Sequence, residues 1–249
     1  MASLKSLLNC IGVDASGDVS VLGNFFGFIR HRVPPDPDTS VTASVSMLQQ
    51  MRGVQGKHVH LNIIRVGFDT LSSAVQALAL EKIDYATYRT QNIYRPVNLG
   101  VGRVQHWAIS AANSNGRDDL ANEDEAEALR DEWSVPNNGI DVFVVRNISD
   151  EFVGISPIGG NCNKNEIDDG LIGGEINWDF EQFSRTFAHE IGHFLGLSHT
   201  HGSDCPISTA EQNNLMAQSK CAISVRNSVN LTNSQGEDVR DHCSGQDGC

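Results

Sequence analysis

The sequence predicts a mixed α/β (α+β) domain built on a twisted, mostly parallel sheet of five strands. Strand-like and helix-like segments alternate between residues 57 and 195, and this alternation is typical of parallel sheets. The 249 residues, 39% of them hydrophobic, are enough for one large domain with a small additional lobe. Regular patterns become scarce after residue 199, so we expect the small, irregular lobe at the C-terminal end.

Before Lys57 the pattern is least regular, and residues 1–56 are predicted to form an N-terminal leader or pro-segment. Within them, residues 25–33 favour a strand and residues 41–52 a helix. The proline-rich residues 34–37 between them fix the backbone in extended or turn conformations and mark the best candidate boundary.

From Lys57 onwards, apolar runs predict the strands and longer 3.6-residue periods predict the helices. The five predicted strands are residues 58–68, 101–109, 139–145, 152–158 and 170–177. The four predicted helices are residues 71–91, 122–133, 180–195 and 231–242.

The helix at residues 180–195 carries the motif His189-Glu190-x-x-His193-x-x-Gly196-x-x-His199, an extended form of a zinc-binding pattern. Residues four apart share one face of a helix, so His189 and His193 can present two imidazoles to one metal ion. On a straight helix His199 would lie about 9 Å beyond His193, which is too far for a bond to the same ion. Gly196 allows the helix to end and the chain to turn back, because glycine adopts positive φ without steric cost.

The full motif is much more specific than its first five residues. The added glycine and third histidine reduce a chance match to about one in a hundred thousand for a chain of this length. The alternative is an amphipathic core helix whose histidines only form structural hydrogen bonds. Three histidines that leave one coordination position open are typical of a catalytic zinc site.

These residues resemble the metzincin clan of zinc peptidases. That clan has a methionine in a tight turn beneath the zinc histidines, and Met216 in Asn213-Asn214-Leu215-Met216-Ala217 has the matching position. The sequence is most similar to pappalysin-like and matrixin-like members. Gln218 stands where astacins and serralysins place a tyrosine, which disfavours those two subfamilies.

The resemblance implies that residues 57–249 form a metzincin-like catalytic domain, with an upper lobe at 57–196, a lower lobe at 197–249 and the zinc helix at the cleft floor. It further implies a zinc-dependent endopeptidase that binds zinc through His189, His193 and His199, with Glu190 as general base. Two alternatives remain open: a narrow-specificity or self-processing peptidase, and a zinc-stabilised binding or toxin module without turnover. The presence of Glu190 argues against the second.

Two further sites are predicted beside the zinc motif. In metzincins the strand at 152–158 is an exposed edge on the cleft, so Val153, Gly154, Ile155 and Ser156 are expected to bind substrate backbone. The loop at 161–174 contains a group of oxygen-bearing side chains that could hold calcium, although a solvated polar loop is the favoured explanation. These are Asn165, Glu166, Asp168 and Asp169.

Six cysteines, four of them after the zinc motif, favour disulfides and a secreted or extracellular protein, although the N-terminus is a poor secretory signal. Cys10 lies in a faint match to the matrixin latency motif, and an ordinary thiol or disulfide role is the alternative. A net charge of −13 argues against nucleic acid as a partner, and no apolar run is long enough to span a membrane. A protein or peptide substrate is expected; the oligomeric state is left open.

Overall fold

The computed structural model describes residues 35–37, 56–149, 152–206 and 208–247. Its strands are β1 (Asp36–Pro37), β2 (Lys57–Val66), β3 (Leu99–Ile109), β4 (Asp119–Leu120), β5 (Ile140–Val145), β6 (Asn147–Ile148) and β7 (Gly170–Glu175). Its helices are α1 (Ser73–Tyr94), α2 (Glu123–Glu132), α3 (Phe180–Phe194), α4 (Thr209–Gln212) and α5 (Asn233–Asp241).

The main sheet has five strands in the order β1-β3-β2-β5-β7. The four long strands β3, β2, β5 and β7 are parallel, whereas the two-residue β1 pairs antiparallel with β3 at one edge. Strands β4 and β6 form a separate two-stranded pair. The predicted α/β class with a mostly parallel sheet is therefore confirmed.

Helices cover both faces of this sheet and create two apolar cores. On one face, α1 and α3 pack on each other, α1 packs on β3 and α3 packs on β7. Ile83, Phe187 and Leu61 of β2 belong to the apolar core on this face. On the other face, Leu129 of α2 packs with Phe143 of β5. Because both faces are covered, β5 and β7 are buried along their whole length, as expected for parallel strands between two layers of helices.

The fifth strand of the sheet differs from the one that the sequence predicted. Residues 152–158 contribute only one antiparallel bridge, between Ile155 and Ile172 of β7. The fifth strand is β1 instead, at the opposite edge, where Asp36 and Pro37 pair with Ala108 and Trp107. Pro157 has no N–H group with which to extend the ladder at 152–158, and no other residue of this segment forms a bridge to β7.

After α3 the described chain is mostly irregular, with the short α4 and the closing helix α5. Two disulfides cross-link this region: Cys205–Cys221, and Cys162–Cys243, which joins the loop before β7 to the chain end after α5. Among the described residues, none of the helices has the length and apolar character needed to cross a membrane.

Candidate active site

Helix α3 is held firmly at its start and along its buried face. Asp179 caps its N-terminus, where one carboxylate oxygen accepts hydrogen bonds from the backbone N–H groups of Glu181 and Gln182, both at 2.9 Å. Along the helix, Phe183 and Phe187 are fully buried in the core. The helix therefore presents its histidines from a rigid base.

The helix ends directly before the glycine that the sequence singled out. Helix α3 stops at Phe194, and Gly196 has a φ of 99°, which an L side chain rarely adopts. The N–H of Gly196 donates to the carbonyl of His193, and that of Leu197 donates to the carbonyl of Gly192, both at 2.9 Å. These bonds end the helix and turn the chain back toward it.

This reversal brings the three histidines of the motif together. The Nε2 atom of His199 lies 3.1 Å from Nε2 of His189 and 3.1 Å from Nε2 of His193. Two nitrogens bound to one tetrahedral zinc at about 2.0–2.1 Å would lie about 3.3–3.4 Å apart. The observed spacing is close to that value, so the three nitrogens fit a single zinc ion.

The other ring nitrogens show which atoms are free to bind a metal. Nδ1 of His189 lies 2.7 Å from the carbonyl oxygen of Leu215, and Nδ1 of His193 lies 2.7 Å from that of Leu197. A carbonyl only accepts, so each Nδ1 carries the proton and each Nε2 offers its lone pair. Burial keeps these rings neutral: it holds the pKa of His189 well below its ordinary value and lowers that of His193 to about 4.

A second group of metal-binding residue types, Cys162, His242 and Cys243, also lies close together. Its two cysteines form a disulfide, so their sulfur atoms are not available as thiolate ligands. Within the described residues, the histidine triad is therefore the better metal site.

Glu190 lies next to the triad, lines the same cleft and is 4% exposed. Burial raises the pKa of its carboxyl group to about 8, and the distant Arg130 lowers it slightly. A carboxyl group whose pKa lies this close to neutrality exchanges its proton readily, and a cation held by the triad would favour the ionised form that accepts a proton. The position and environment of Glu190 therefore suit a general base.

Met216 lies in a tight turn against the underside of α3. The N–H of Ala217 donates to the carbonyl of Asn214 at 3.2 Å, which closes a four-residue turn. A Cβ atom built on Gly192 would lie 2.7 Å from the sulfur of Met216, so this glycine of the helix allows the close approach. The same turn provides the Leu215 carbonyl that orients His189.

Arg185, one helical turn before His189, holds this turn from inside the protein. Its guanidinium is buried and donates to the carbonyls of Leu215 at 3.0 Å, Ser228 at 3.0 Å and Ala217 at 2.5 Å. The Leu215 carbonyl thus accepts from both Arg185 and His189. Sequence reasoning missed this residue, since a single arginine in a helix gives no signal of its distant partners.

A cleft of about 680 Å³ opens over the triad, with a size that suits several side chains of a bound ligand. Val153, Gly154, Ile155 and Ser156, which we call the rim segment, line it. Ile155 pairs with Ile172 through both of its backbone groups, at 3.2 and 2.8 Å. Successive residues of an extended chain direct these groups to opposite sides, so those of Gly154 and Ser156 face away from β7.

Gly154 also explains how the rim segment lies so close to α3. A Cβ atom at this position would meet Glu190 Cγ at 2.7 Å and Thr186 Cγ2 at 3.0 Å. Only glycine fits without a shift of its neighbours. The structure thus places the four predicted substrate-binding residues directly beside Glu190.

Another part of the lining, which we call the wall segment, consists of Gln218, Ser219 and Lys220. It follows the Met216 turn and forms a short 3₁₀ turn at Ser219–Cys221. Glu123 at the start of α2 lines the cleft as well. Neither Lys220 nor Glu123 could be assigned to the cleft from sequence, because charged residues in exposed positions are usually only solvated.

His201 lies next to the triad without belonging to the motif. It accepts a hydrogen bond from the N–H of Gln218 at 3.2 Å, and its ring stacks beside that of His199. In the loop at 161–174, Asp168 pairs with Arg130 at 3.6 Å, and Asp169 accepts from Ser134. Protein groups already satisfy these carboxylates, so calcium there stays an unsupported prediction. Cys10 lies outside the described residues.

Comparison with known proteins agrees with this geometry. The family model Reprolysin_5, described as metallo-peptidase family M12, matches residues 65–235. A search of curated proteins gives no significant match. Among solved structures, the chain is similar to archaemetzincin from Methanopyrus kandleri, with 17% identity, a TM-score of 0.43, and coverage of 74% of this chain and 95% of that one.

Proposed function

This chain belongs to metallo-peptidase family M12, and on that basis we propose that it is a zinc-dependent endopeptidase that hydrolyses internal peptide bonds of proteins. Membership of the family makes it a metzincin-type zinc metallopeptidase acting on proteins or peptides. We further propose that it cleaves within chains, as an endopeptidase, and that it is most similar to the pappalysin-like or matrixin-like members. The single observation that carries the proposal is the convergence of three neutral imidazoles beside a buried Glu190.

In the proposed mechanism His189, His193 and His199 hold the zinc ion through Nε2. Zinc bound there supplies Lewis acidity, which activates a water molecule and polarises the scissile carbonyl. The Glu190 carboxylate takes the proton from the attacking water and delivers it to the nitrogen of the leaving amine. The overall reaction is hydrolysis: the C–N bond breaks and a C–O bond forms. The new carboxyl group gains the OH of one water molecule, and the leaving amine gains its remaining hydrogen.

We propose that the substrate lies in the cleft as an extended strand along the rim segment. The backbone groups of Gly154 and Ser156 point away from β7, and among the described residues they have no backbone partner. A substrate strand that pairs with them would bring its carbonyl group next to Glu190. Such pairing needs no free chain end, which favours cleavage within a chain.

Met216 would support the triad from below, as its contact with Gly192 allows. The two disulfides in the described chain are typical of an oxidising compartment, and we propose a secreted or extracellular protein on that basis. The segment at 1–56 as a leader, with Cys10 as a latency ligand, remains a proposal as well. A narrow-specificity peptidase is compatible with the same site.

The test is digestion of a diverse peptide pool by the purified zinc-loaded chain, with the products identified by mass spectrometry. We expect cuts at internal bonds that disappear in the presence of a zinc chelator. Glu190→Ala should reduce the rate about 10²- to 10⁴-fold, because general-base catalysis contributes that much, while the variant still binds zinc. Zinc stoichiometry of the variant, measured by atomic absorption, checks that the triad is intact.

Glu181→Ala provides a matched control, since Glu181 lies on the same helix and does not line the cleft. It should retain cleavage. If the wild-type chain binds zinc and cuts no peptide in the pool, or if Glu190→Ala cuts as fast as the wild type, the proposal is wrong. A zinc-stabilised binding module would then be the better interpretation.

A further inference from the structure

The wall segment places an exposed cation in the lining of the cleft. The Lys220 side chain lines the same cleft as the histidine triad. Its ammonium nitrogen contacts one protein acceptor, the carbonyl oxygen of Ser203 at 3.2 Å. In the part of the chain that the structure describes, no carboxylate lies within 4 Å of it, although acidic residues outnumber basic ones by 31 to 18.

The backbone around Lys220 is held in place on several sides. The N–H of Cys221 donates to the carbonyl of Gln218 at 2.8 Å, and the side chain of Cys221 is linked to Cys205. Arg185 reaches the hydroxyl of Ser219 at 3.4 Å. The ammonium group is therefore presented from a fixed turn and not from a free surface loop.

Gln218, two residues earlier, adds a second polar group to this part of the lining. Its side-chain oxygen is buried, and no hydrogen-bond partner for it exists among the described residues. A buried polar atom without a partner costs free energy, and an amide oxygen accepts hydrogen bonds, so a backbone N–H group of a bound ligand would be a favourable partner for it. The ammonium group of Lys220 is the group that matches a carboxylate, which accepts several hydrogen bonds.

We propose that Lys220 selects substrates with a carboxylate group close to the scissile bond. This inference rests on the proposed peptidase function and adds its substrate class. The carboxylate can belong to an Asp or Glu side chain or to the C-terminus of a short peptide. Both present the same charge, and the experiment below separates them.

The test measures binding, so that it does not depend on turnover. Zinc-loaded Glu190→Ala protein is titrated with fluorescent peptides from the pool that differ only by Glu or Gln at one position, and this position is moved along the peptide from pair to pair. Each pair is made with a free C-terminal acid and with a C-terminal amide. We expect one position at which Glu binds about tenfold more tightly than Gln.

In Glu190→Ala/Lys220→Met this ratio should fall to about one, and in Glu190→Ala/Lys220→Glu it should invert. The preference should also shrink in high salt, since salt screens a charge pair that is open to solvent. Lys57→Met in the same background is the matched control: Lys57 loses its charge too, but it lies outside the cleft and pairs with Asp247. It should leave the ratio unchanged.

The acid and amide series of peptides distinguish the two possible sources of the carboxylate. A preference for Glu in both the acid and the amide series assigns the carboxylate to a side chain, whereas tight binding of the acid series alone assigns it to the C-terminus. Equal binding of Glu, Gln, acid and amide peptides, or a preference that survives Lys220→Met, overturns the proposal. Absence of cleavage in the wild-type chain, with the binding preference intact, would refute the peptidase function and leave the carboxylate site standing.

Discussion

At the scale of single residues, the carbonyl of Leu215 couples the interior of the protein to the candidate zinc site. It accepts from Nδ1 of His189 at 2.7 Å and from the guanidinium of Arg185 at 3.0 Å. A histidine ring that donates to a fixed carbonyl keeps one tautomer and one orientation. The position of the His189 lone pair therefore depends on a buried arginine that does not line the cleft.

Gly196 is the residue at which backbone conformation alone decides the site geometry. Its φ is 99°, and a Cβ atom built on it meets nothing within 4 Å. Gly196→Ala should therefore lower the free energy of unfolding by about 1–2 kcal/mol, through backbone strain and not through a clash. It should also weaken zinc binding, because His199 follows three residues later. Chemical denaturation and a competitive zinc titration measure the two effects.

Gly202→Ala is the control for this substitution, since Gly202 also has open space around it and does not have a positive φ. It should leave the free energy of unfolding and the zinc affinity close to those of the wild type. Equal zinc affinity in the two variants would show that the turn at Gly196 does not position His199.

At the scale of elements, the closing helix α5 supports the turn that contains Met216. Thr232 and Gln235 form a capping box at its start. Gln235 also exchanges two hydrogen bonds with the side chain of Asn214, at 2.8 and 3.2 Å. The helix is thus tied to the first residue of the turn, which lies 21 residues earlier in the sequence, or about 70 Å of fully extended chain.

Gln235→Ala should lower the free energy of unfolding by about 1–2 kcal/mol, since it removes a cap and leaves the Asn214 amide with fewer partners. It should also reduce catalytic efficiency, because the turn carries the carbonyl that orients His189. Urea denaturation and peptide cleavage test these effects. Ser234→Ala, at an exposed position of the same helix, should change neither the stability nor the catalytic efficiency. Equal stability and equal efficiency of the two variants would contradict the prediction.

The elements that the sequence predicted well are those with a strong local pattern. The strands at β2, β3, β5 and β7 and the helix α3 follow from apolar periodicity, and the predicted end of α3 differs by one residue. The prediction of a full strand at residues 152–158 was wrong. Its apolar residues are explained by the cleft instead, where Val153 and Ile158 are 41% and 60% exposed. A sequence pattern cannot distinguish an apolar cleft lining from an apolar sheet face.

At the scale of the whole molecule, buried histidines outside the zinc site connect stability to pH. His60 accepts a hydrogen bond from the N–H of Arg103 at 3.0 Å, which requires a neutral ring. Burial lowers the pKa of His60 to about 3 and that of His106 to about 4. Between these values and the unfolded value of about 6.5, the unfolded chain binds more protons than the folded one, so stability falls as the pH decreases.

We therefore expect the free energy of unfolding of the zinc-loaded protein to fall from pH 7.5 to pH 5, with His60 contributing roughly 1–2 kcal/mol of the loss. In His60→Gln, whose amide oxygen can still accept from Arg103, the fall should be smaller by that amount. Urea denaturation of both proteins at the two pH values gives the comparison. Parallel pH profiles would mean that His60 has the same pKa in the folded and the unfolded protein, and would contradict the prediction.

The metal-binding part of the site was predictable because its residues lie within eleven positions of one motif. The rest depends on contacts between distant segments. Arg185 reaches Ser228, and Gly154 packs on Glu190. Lys220 enters the cleft only because the chain folds back after Met216, and no local pattern of charge or period records that path.

The short strand β1 limits how a leader could be removed from this protein. Asp36 and Pro37 lie within the predicted leader, and they occupy the edge of β3 beside Trp107 and Ala108. A cut just before Lys57 would separate these two residues from the domain covalently, while their pairing would still hold them in place. Maturation would then consist of two events, a cleavage and the peeling of an edge strand, and the second would uncover a new docking edge on the far side of the sheet from the cleft.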